Sequence, residues 1–384
     1  MDLPNYFEKF LREIRLTTNQ NNDLQRGHST LRERLECDER LKSLMVGNFL
    51  QGSYKRGTAV RPNGDKRADI DVVVVTKIDK EKYPNPDDAM NLFLPFLDEH
   101  YKGKHKKQGR SFGIELTYVD LDLVITSAPS AVEEEVYHSA AVTAYDTLED
   151  AVDWRLIKSW QPLSKRASGD EKSFAEAMRK EKEWQTEPLW IPDREIKDWR
   201  RTHPLEQIKW TAGKNTRCNG HYVNVVKAIK WWQLTNYGND RPKSYPLEHL
   251  IGICCPDFIM SIAQCVTQTF EAIRNNYAVD VANNRVPILQ DHGVPEHNVF
   301  ARITVEEFHE FYNHVVVAAK IAREALDSNK VSVSAEKWRE LFGDKFPPAD
   351  NDDSGKGEPK GPFIAPPPKS QTGDMTPRRY GNGL

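Results

Sequence analysis

The stretch that decides the fold is Leu50-Gln51-Gly52-Ser53-Tyr54-Lys55-Arg56-Gly57-Thr58, followed by Ala68-Asp69-Ile70-Asp71-Val72-Val73-Val74-Val75. Residues 70–76 are β-branched and apolar, which predicts a central strand covered on both faces. Two carboxylates stand in it at i and i+2. Strand side chains alternate with a period of two, so Asp69 and Asp71 share a face. Neighbouring carboxylates repel, and burying them without a counter-charge is costly. A divalent cation removes that cost. Magnesium takes hard oxygen ligands, one or two carboxylates plus substrate phosphates. An isolated Asp-x-Asp commonly marks no more than a strand end or turn, but the four valines argue against a turn here. Upstream, a tight Gly52-Ser53 turn after Phe49-Leu50 would aim backbone N–H groups and a hydroxyl at phosphate oxygens.

Working outward, residues 114–125 read as a second strand alternating around Asp120 and Asp122. Both acids again fall on one face. If the two strands are neighbours, three or four carboxylates converge and would hold two metal ions roughly 3.5–4 Å apart, the spacing used for in-line phosphoryl displacement. Helical spacing is seen at Phe7, Phe10, Leu11 and Ile14, and more loosely at Leu31, Leu35, Leu41, Leu44 and Met45. A helix is expected over 86–101, another over 154–160, a solvated charged segment over 164–183 and a short strand over 189–192. From about residue 205 the pattern is helical: 221–234 with Tyr222, Val225, Val226, Ile229 and Trp232 on one face, then 246–254 and 257–273. Thr304 with Glu307 forms a capping box. Residues 346–384 hold 8 of the 23 prolines and 6 of the 21 glycines. That Pro+Gly share exceeds the roughly 25–30% that marks low-complexity chain, so a flexible tail is expected. The fold class is therefore α+β, in three parts: a mixed core over 1–200, a helical domain over 201–345 and a tail over 346–384.

Composition excludes several classes. The chain has 384 residues, with 54 Lys+Arg against 57 Asp+Glu and a formal net charge of −3, which argues against a general nucleic-acid coat protein. No run approaches the roughly 20 apolar residues of a spanning helix. Met1-Asp2-Leu3-Pro4-Asn5-Tyr6 lacks the basic and apolar regions of a secretory signal. Cys37, Cys218, Cys254, Cys255 and Cys265 form no C-x-x-C pair, so free thiols in a reducing cytoplasm are expected. The eleven histidines show no zinc spacing. The basic run Lys102, Lys104, His105, Lys106, Lys107 and Arg110 reads as a solvated loop.

The combination of Gly52-Ser53, Asp69-x-Asp71 and a later acidic strand resembles the nucleotidyltransferase superfamily of DNA polymerase beta, poly(A) polymerases and oligoadenylate synthases. Leu121-Asp122-Leu123-Val124, with Pro129 beyond, is the closer match to the family's third acid; Asp120, on the same face, is the alternative. Trp190-Ile191-Pro192-Asp193, Trp199 to Pro204, Val225 to Trp232, Lys243-Ser244-Tyr245-Pro246-Leu247-Glu248 and Asp291-His292-Gly293-Val294-Pro295 look like the bacterial CD-NTases. These are the cyclic-oligonucleotide synthases of CBASS anti-phage defence, related to cyclic GMP-AMP synthase. Two departures stand out: His203 replaces a commonly acidic residue, and Leu-Val-Ile-Thr follows the third acid.

The resemblance implies a polymerase-beta-like core and a two-metal nucleotidyltransferase. Asp69, Asp71 and Asp122 would hold two Mg²⁺, with Mn²⁺ as a substitute. Gly52, Ser53, Lys227, Lys230 and Ser244 would hold the donor phosphates, with Tyr245 stacked on the donor base. Each has a plainer reading: Lys230 as a lysine snorkelling at a helix edge, Ser244 as a helix N-cap, Tyr245 as core packing. The expected product is a cyclic tri- or dinucleotide made from ATP, with GTP or another nucleoside triphosphate, and read by an effector nuclease. The alternative is a terminal nucleotidyltransferase acting on RNA or protein. Control is expected through a ubiquitin-ligase-like conjugating enzyme acting on the tail, or a HORMA-type activator. Neither a membrane nor an obligatory double-stranded nucleic acid is expected.

Overall fold

The valine run forms the middle of a sheet. The computed structural model describes residues 1–64, 66–128, 130, 187–236 and 241–349. Its strands are β1 (Met45–Gln51), β2 (Ala68–Thr76), β3 (His105–Lys107), β4 (Phe112–Glu115), β5 (Val119–Ser127), β6 (Leu189–Asp193) and β7 (Asp198–Thr202). They lie in the order β1-β2-β5-β4-β3, with β6 pairing β5 and β7. The β2–β5 pair is parallel and the others are antiparallel, a mixed sheet as expected.

The period-two alternation of β2 sorts its side chains into two environments. Ile70, Val72 and Val74 pack with Leu121 and Leu123 under Leu24, Leu31 and Leu35 of the helix Thr18–Cys37. Val73 and Val75 share the other face with the two acids. They are covered by Val46, Phe49, Val124, Leu189, Ile191 and Leu205. One half of that face is thus sealed by apolar side chains, and the other half carries carboxylates.

Several boundaries differ from the sequence reading. The single strand over 114–125 is a hairpin, β4 and β5, broken at 116–118. The helix over 86–101 is two short helices, Pro86–Asn91 and Leu94–His100, the second restarting at a proline in its first turn. Leu31 and Leu35 are helical, but Leu41 lies in the short turn Glu39–Lys42, and Met45 already belongs to β1. The helix expected over 257–273 is Ile262–Asn276, capped by Ser261. The helix expected over 154–160, the 164–183 segment, Pro129 and the tail beyond 349 lie outside the described residues.

The helices from Pro204 onward build a second core. At its centre is Tyr222–Asn236, which is buried on all sides rather than along one face. Around it pack Ser244–Cys254, Ile262–Asn276, Val305–Asp327 and Val331–Phe342. The capping box at Thr304 and Glu307 is present. The first helix, Pro4–Ile14, comes from the other end of the chain but packs here too. Phe7 meets Trp338 edge-on at 4.9 Å, and Phe10 stacks on Phe342 at 4.5 Å. All five cysteines are free thiols. Among the described residues, no helix is long and apolar enough to cross a membrane.

Candidate active site

Parallel pairing of β2 with β5 sets Asp69 opposite Asp120 and Asp71 opposite Asp122. The face shared by Asp69 and Asp71 therefore continues onto β5. Asp120 and Asp122 are in different company. The Arg67 Nε donates to Asp120 Oδ1 at 2.7 Å and its Nη2 to Glu115 at 3.3 Å. Asp122 faces Gln108, whose amide nitrogen lies over Gly113, 2.4 Å from where a β-carbon would stand.

Gly52 begins the one-turn helix Gly52–Lys55 directly after β1, at φ +77°. A β-carbon at this position would stand 1.8 Å from Asp71 Oδ2. The backbone turn thus lies directly on the acid. Backbone amides of Thr58 and Ala59 donate back to the Ser53 carbonyl at 2.9 and 3.1 Å, which closes the loop.

Burial pushes the Asp71 carboxyl up to about 7, helped by the charges of Asp69 and Asp122 and opposed by Arg56. Burial also pushes Asp122 up to about 6, with Asp69 adding to the rise and a Gln108 hydrogen bond opposing it. Asp69, Asp71 and Asp122 share one face of two paired strands, and they offer only hard oxygen donors. That donor set fits a divalent cation. Elsewhere, ligand atoms of Asp38, Glu99 and His100 come within 4.8 Å of one another. The Arg40 guanidinium already bridges Asp38 and Glu99 there.

Two of the residues expected to meet the triphosphate, Lys230 and Ser244, converge on a carboxylate to which the sequence assigns no role. Lys230 is buried; its Nζ donates to Glu248 Oε1 at 2.9 Å and to the Thr58 carbonyl at 3.0 Å. It is therefore not a snorkelling edge residue. Ser244 opens the helix Ser244–Cys254, whose N-cap is Lys243. Its hydroxyl donates to Glu248 Oε1 at 3.0 Å instead of capping. Arg56 Nε and Thr58 Oγ1 donate to Glu248 Oε2 at 3.1 and 2.8 Å. Burial alone would raise the Glu248 carboxyl; Arg56 and Lys230 outweigh it and bring it down to about 2. Lys227 is buried one turn before Lys230, and desolvation, with Arg15 and Lys230 nearby, holds its ammonium well below the usual lysine range.

Tyr245 is half-buried. Its hydroxyl donates to Asp291 Oδ2 at 2.7 Å, and the Arg56 guanidinium lies 5.4 Å from its ring. Asp291 also accepts from the amides of Gly293 and Val294. The Asp291-His292-Gly293 motif thus holds the tyrosine. At the departure noted at His203, the imidazole accepts from the Glu206 amide and caps the helix Pro204–Arg217, the job an acidic side chain would do. In the basic run, Lys107 pairs with Asp87 and Arg110 with Asp193, while Lys102, Lys104 and Lys106 are exposed along an edge strand and its approach.

A mixed sheet with acids on adjacent parallel strands, a Gly-Ser turn against one of them and a helical half beside it defines a nucleotidyltransferase. Comparison with known proteins narrows the class. Residues 1–130 match the Second Messenger Oligonucleotide or Dinucleotide Synthetase domain. The cyclic AMP-AMP-GMP synthase of Enterobacter hormaechei subsp. hoffmannii (strain UCI 50) is 48% identical over 354 residues, 90% of this chain and 92% of that protein. In fold, the chain resembles the Bradyrhizobium diazoefficiens CD-NTase CdnG solved with GTP (TM-score 0.62, 11% identity, 90% and 96% covered). It also resembles CdnC in the E. coli MS115-1 CdnC:HORMA-deltaN complex (TM-score 0.56, 14% identity, 90% and 98% covered). The chain belongs to the bacterial CD-NTase family of cyclic-oligonucleotide synthases.

Proposed function

We propose that this synthase joins ATP and GTP into a cyclic trinucleotide of two adenylates and one guanylate, with release of pyrophosphate, as a signal in CBASS defence. The base composition follows the 48%-identical relative, named for that product. The site assignment rests on one observation: Asp71 pairs with Asp122 across parallel strands while the Gly52 turn lies on Asp71.

Asp69, Asp71 and Asp122 would hold two Mg²⁺ ions, for which Mn²⁺ can substitute. When bound, these ions lower the pKa of the attacking hydroxyl and neutralise the leaving pyrophosphate. Asp120, held by Arg67, takes the lesser part in this reading. The chain's own residues position and neutralise. Gly52 and Ser53 bring backbone N–H groups to the phosphates, Lys230 supplies positive charge, Lys227, whose charged form burial disfavours, gains its proton against bound phosphate, and the Ser244 hydroxyl stands at the rim. Tyr245, anchored by Asp291, presents its ring to the donor base. The 201–345 part would close the nucleotide pocket over the 1–200 core. We place the enzyme in the cytoplasm, with a HORMA-type activator, as in the CdnC complex, or a ligase-like enzyme acting on the tail as its control.

The test is incubation of the protein with labelled ATP, GTP, CTP and UTP and Mg²⁺. A phosphatase-resistant small product containing adenine and guanine is expected. Label retained on RNA or protein would mark a terminal transferase instead. Product formation by an Asp69→Ala, Asp71→Ala double variant would overturn the site.

A further inference from the structure

We infer that Glu248 is a positioning residue for the donor triphosphate, an inference that rests on the proposed function and extends its site. The Glu248 carboxylate accepts four hydrogen bonds, from its own helix, from the helix before it and from the loop after the Gly52-Ser53 turn. Arg56 and Thr58 bind Oε2; Lys230 and Ser244 bind Oε1. An ionised carboxylate offers about four lone-pair positions, so its capacity is filled. Glu248 itself is buried, whereas Ser244 is exposed. The cluster therefore runs from the interior to the rim of the site.

Each partner reaches the chemistry. Arg56 and Thr58 follow directly on the Gly52-Ser53 turn. The Arg56 guanidinium also lies 5.4 Å from the ring of Tyr245. Lys230 has three ammonium protons, and Glu248 and the Thr58 carbonyl take two of them. That fixes the direction of the third. Ser244 donates its single proton inward to Glu248. It can turn that proton to a phosphate oxygen while three other donors still satisfy the carboxylate. Two buried cations against one carboxylate leave a surplus positive charge, suited to a polyphosphate. Without Glu248, Arg56 and Lys230 would be like charges facing each other in the interior, and both would move.

The experiment compares the full chain with Glu248→Gln and Thr58→Val. It measures kcat and KM for ATP, and inhibition of the same reaction by adenosine, which has base and sugar but no phosphate. Loss of a charge-assisted contact predicts a KM for ATP raised about tenfold in Glu248→Gln and about two- to threefold in Thr58→Val. Adenosine inhibition should stay within about twofold of wild type, which a merely structural role would not produce. A KM for ATP unchanged in Glu248→Gln, or adenosine inhibition weakened to the same extent, overturns the inference. If Glu248→Gln does not fold, Thr58→Val decides alone, and an unchanged KM there is the negative result. If the wild type makes no cyclic product, the proposed function fails separately. Calorimetric titration with a non-hydrolysable ATP analogue then still reads the inference: unchanged affinity in the variants overturns it.

Discussion

The Gly52 backbone is pressed against the Asp71 carboxylate, and a β-carbon at position 52 would lie 1.8 Å from Oδ2. The residue also has φ +77°, which costs any other L-residue about 1 kcal/mol or more. Gly52→Ala should therefore displace Asp71 and abolish product formation, by at least roughly a hundredfold if one such contact positions the reacting groups. Gly103 is the control. It has φ +71°, but a β-carbon there would meet nothing within 4 Å. Gly103→Ala should lower the melting temperature slightly and leave turnover intact. Equal turnover in the two variants would disprove the role of the close approach.

The two acids of β5 should separate by mutation. Asp122 lies opposite Asp71, and Asp120 is neutralised by Arg67. Asp122→Asn should remove activity, while Asp120→Asn should retain it within about tenfold, the loss of one positioning contact. Comparing initial rates of the two variants at saturating ATP and Mg²⁺ checks this. The reverse order would make Asp120 the third ligand.

Burial and like charge hold the Asp71 carboxyl at about 7, far above its ordinary 3.8. For a carboxyl raised in this way, the folded state is favoured while the group is protonated. That stability is lost as pH rises from about 4 through 7. At pH 8 in EDTA, Asp71→Asn should therefore melt a few degrees higher than wild type while making no product, the usual conflict between a strained site and stability. Adding Mg²⁺ should raise the wild-type melting temperature and not that of the variant. Thermal melts with and without Mg²⁺ measure both.

Glu248 has the opposite sign. Its carboxyl is depressed from 4.5 to about 2 because Arg56 and Lys230 outweigh its burial. Its contribution to stability is complete above pH 4.5 and disappears as pH falls towards 2. The gap in melting temperature between wild type and Glu248→Gln should be largest near pH 6 and should narrow steadily at pH 4 and pH 3. A gap independent of pH would mean that packing, not charge, stabilises the cluster.

The acid-bearing strands are legible because two simple rules coincide there. A β-branched run predicts a strand, and a period of two predicts which side chains share a face. Other elements lack such coincidence. Leu116-Thr117-Tyr118 carries no glycine, proline or asparagine, so the β4–β5 turn reads as more strand. β1 holds Gly47 and Asn48 in its interior, and neither favours a strand. Asn48 is buried and is held by Arg32 and Glu36 of the helix before it. Glu248 is the clearest case. Locally it is one acidic residue in a helix, a turn after Ser244. Its function depends on Arg56 and Thr58, which lie 192 and 190 residues earlier and meet it only through tertiary structure.

The Pro4–Ile14 helix packs against the Val331–Phe342 helix and Phe346. Phe10 is fully buried and stacks on Phe342 at 4.5 Å, with Phe346 at 5.6 Å. Just beyond that helix, Arg15 donates to Asn224 at 2.7 Å, on the helix that also carries Lys227 and Lys230. Phe10→Ala would remove a buried ring at a cost of about 3–5 kcal/mol. The position belongs to the helical core and not to the cores of the acid-bearing sheet, and packing losses act on the folded fraction rather than on the chemistry. Thermal unfolding should therefore shift down by several degrees. At low temperature, where the variant remains folded, KM for ATP should match wild type. A raised KM under those conditions would show that the Pro4–Ile14 helix sets the position of Lys230 as well as the stability of the core.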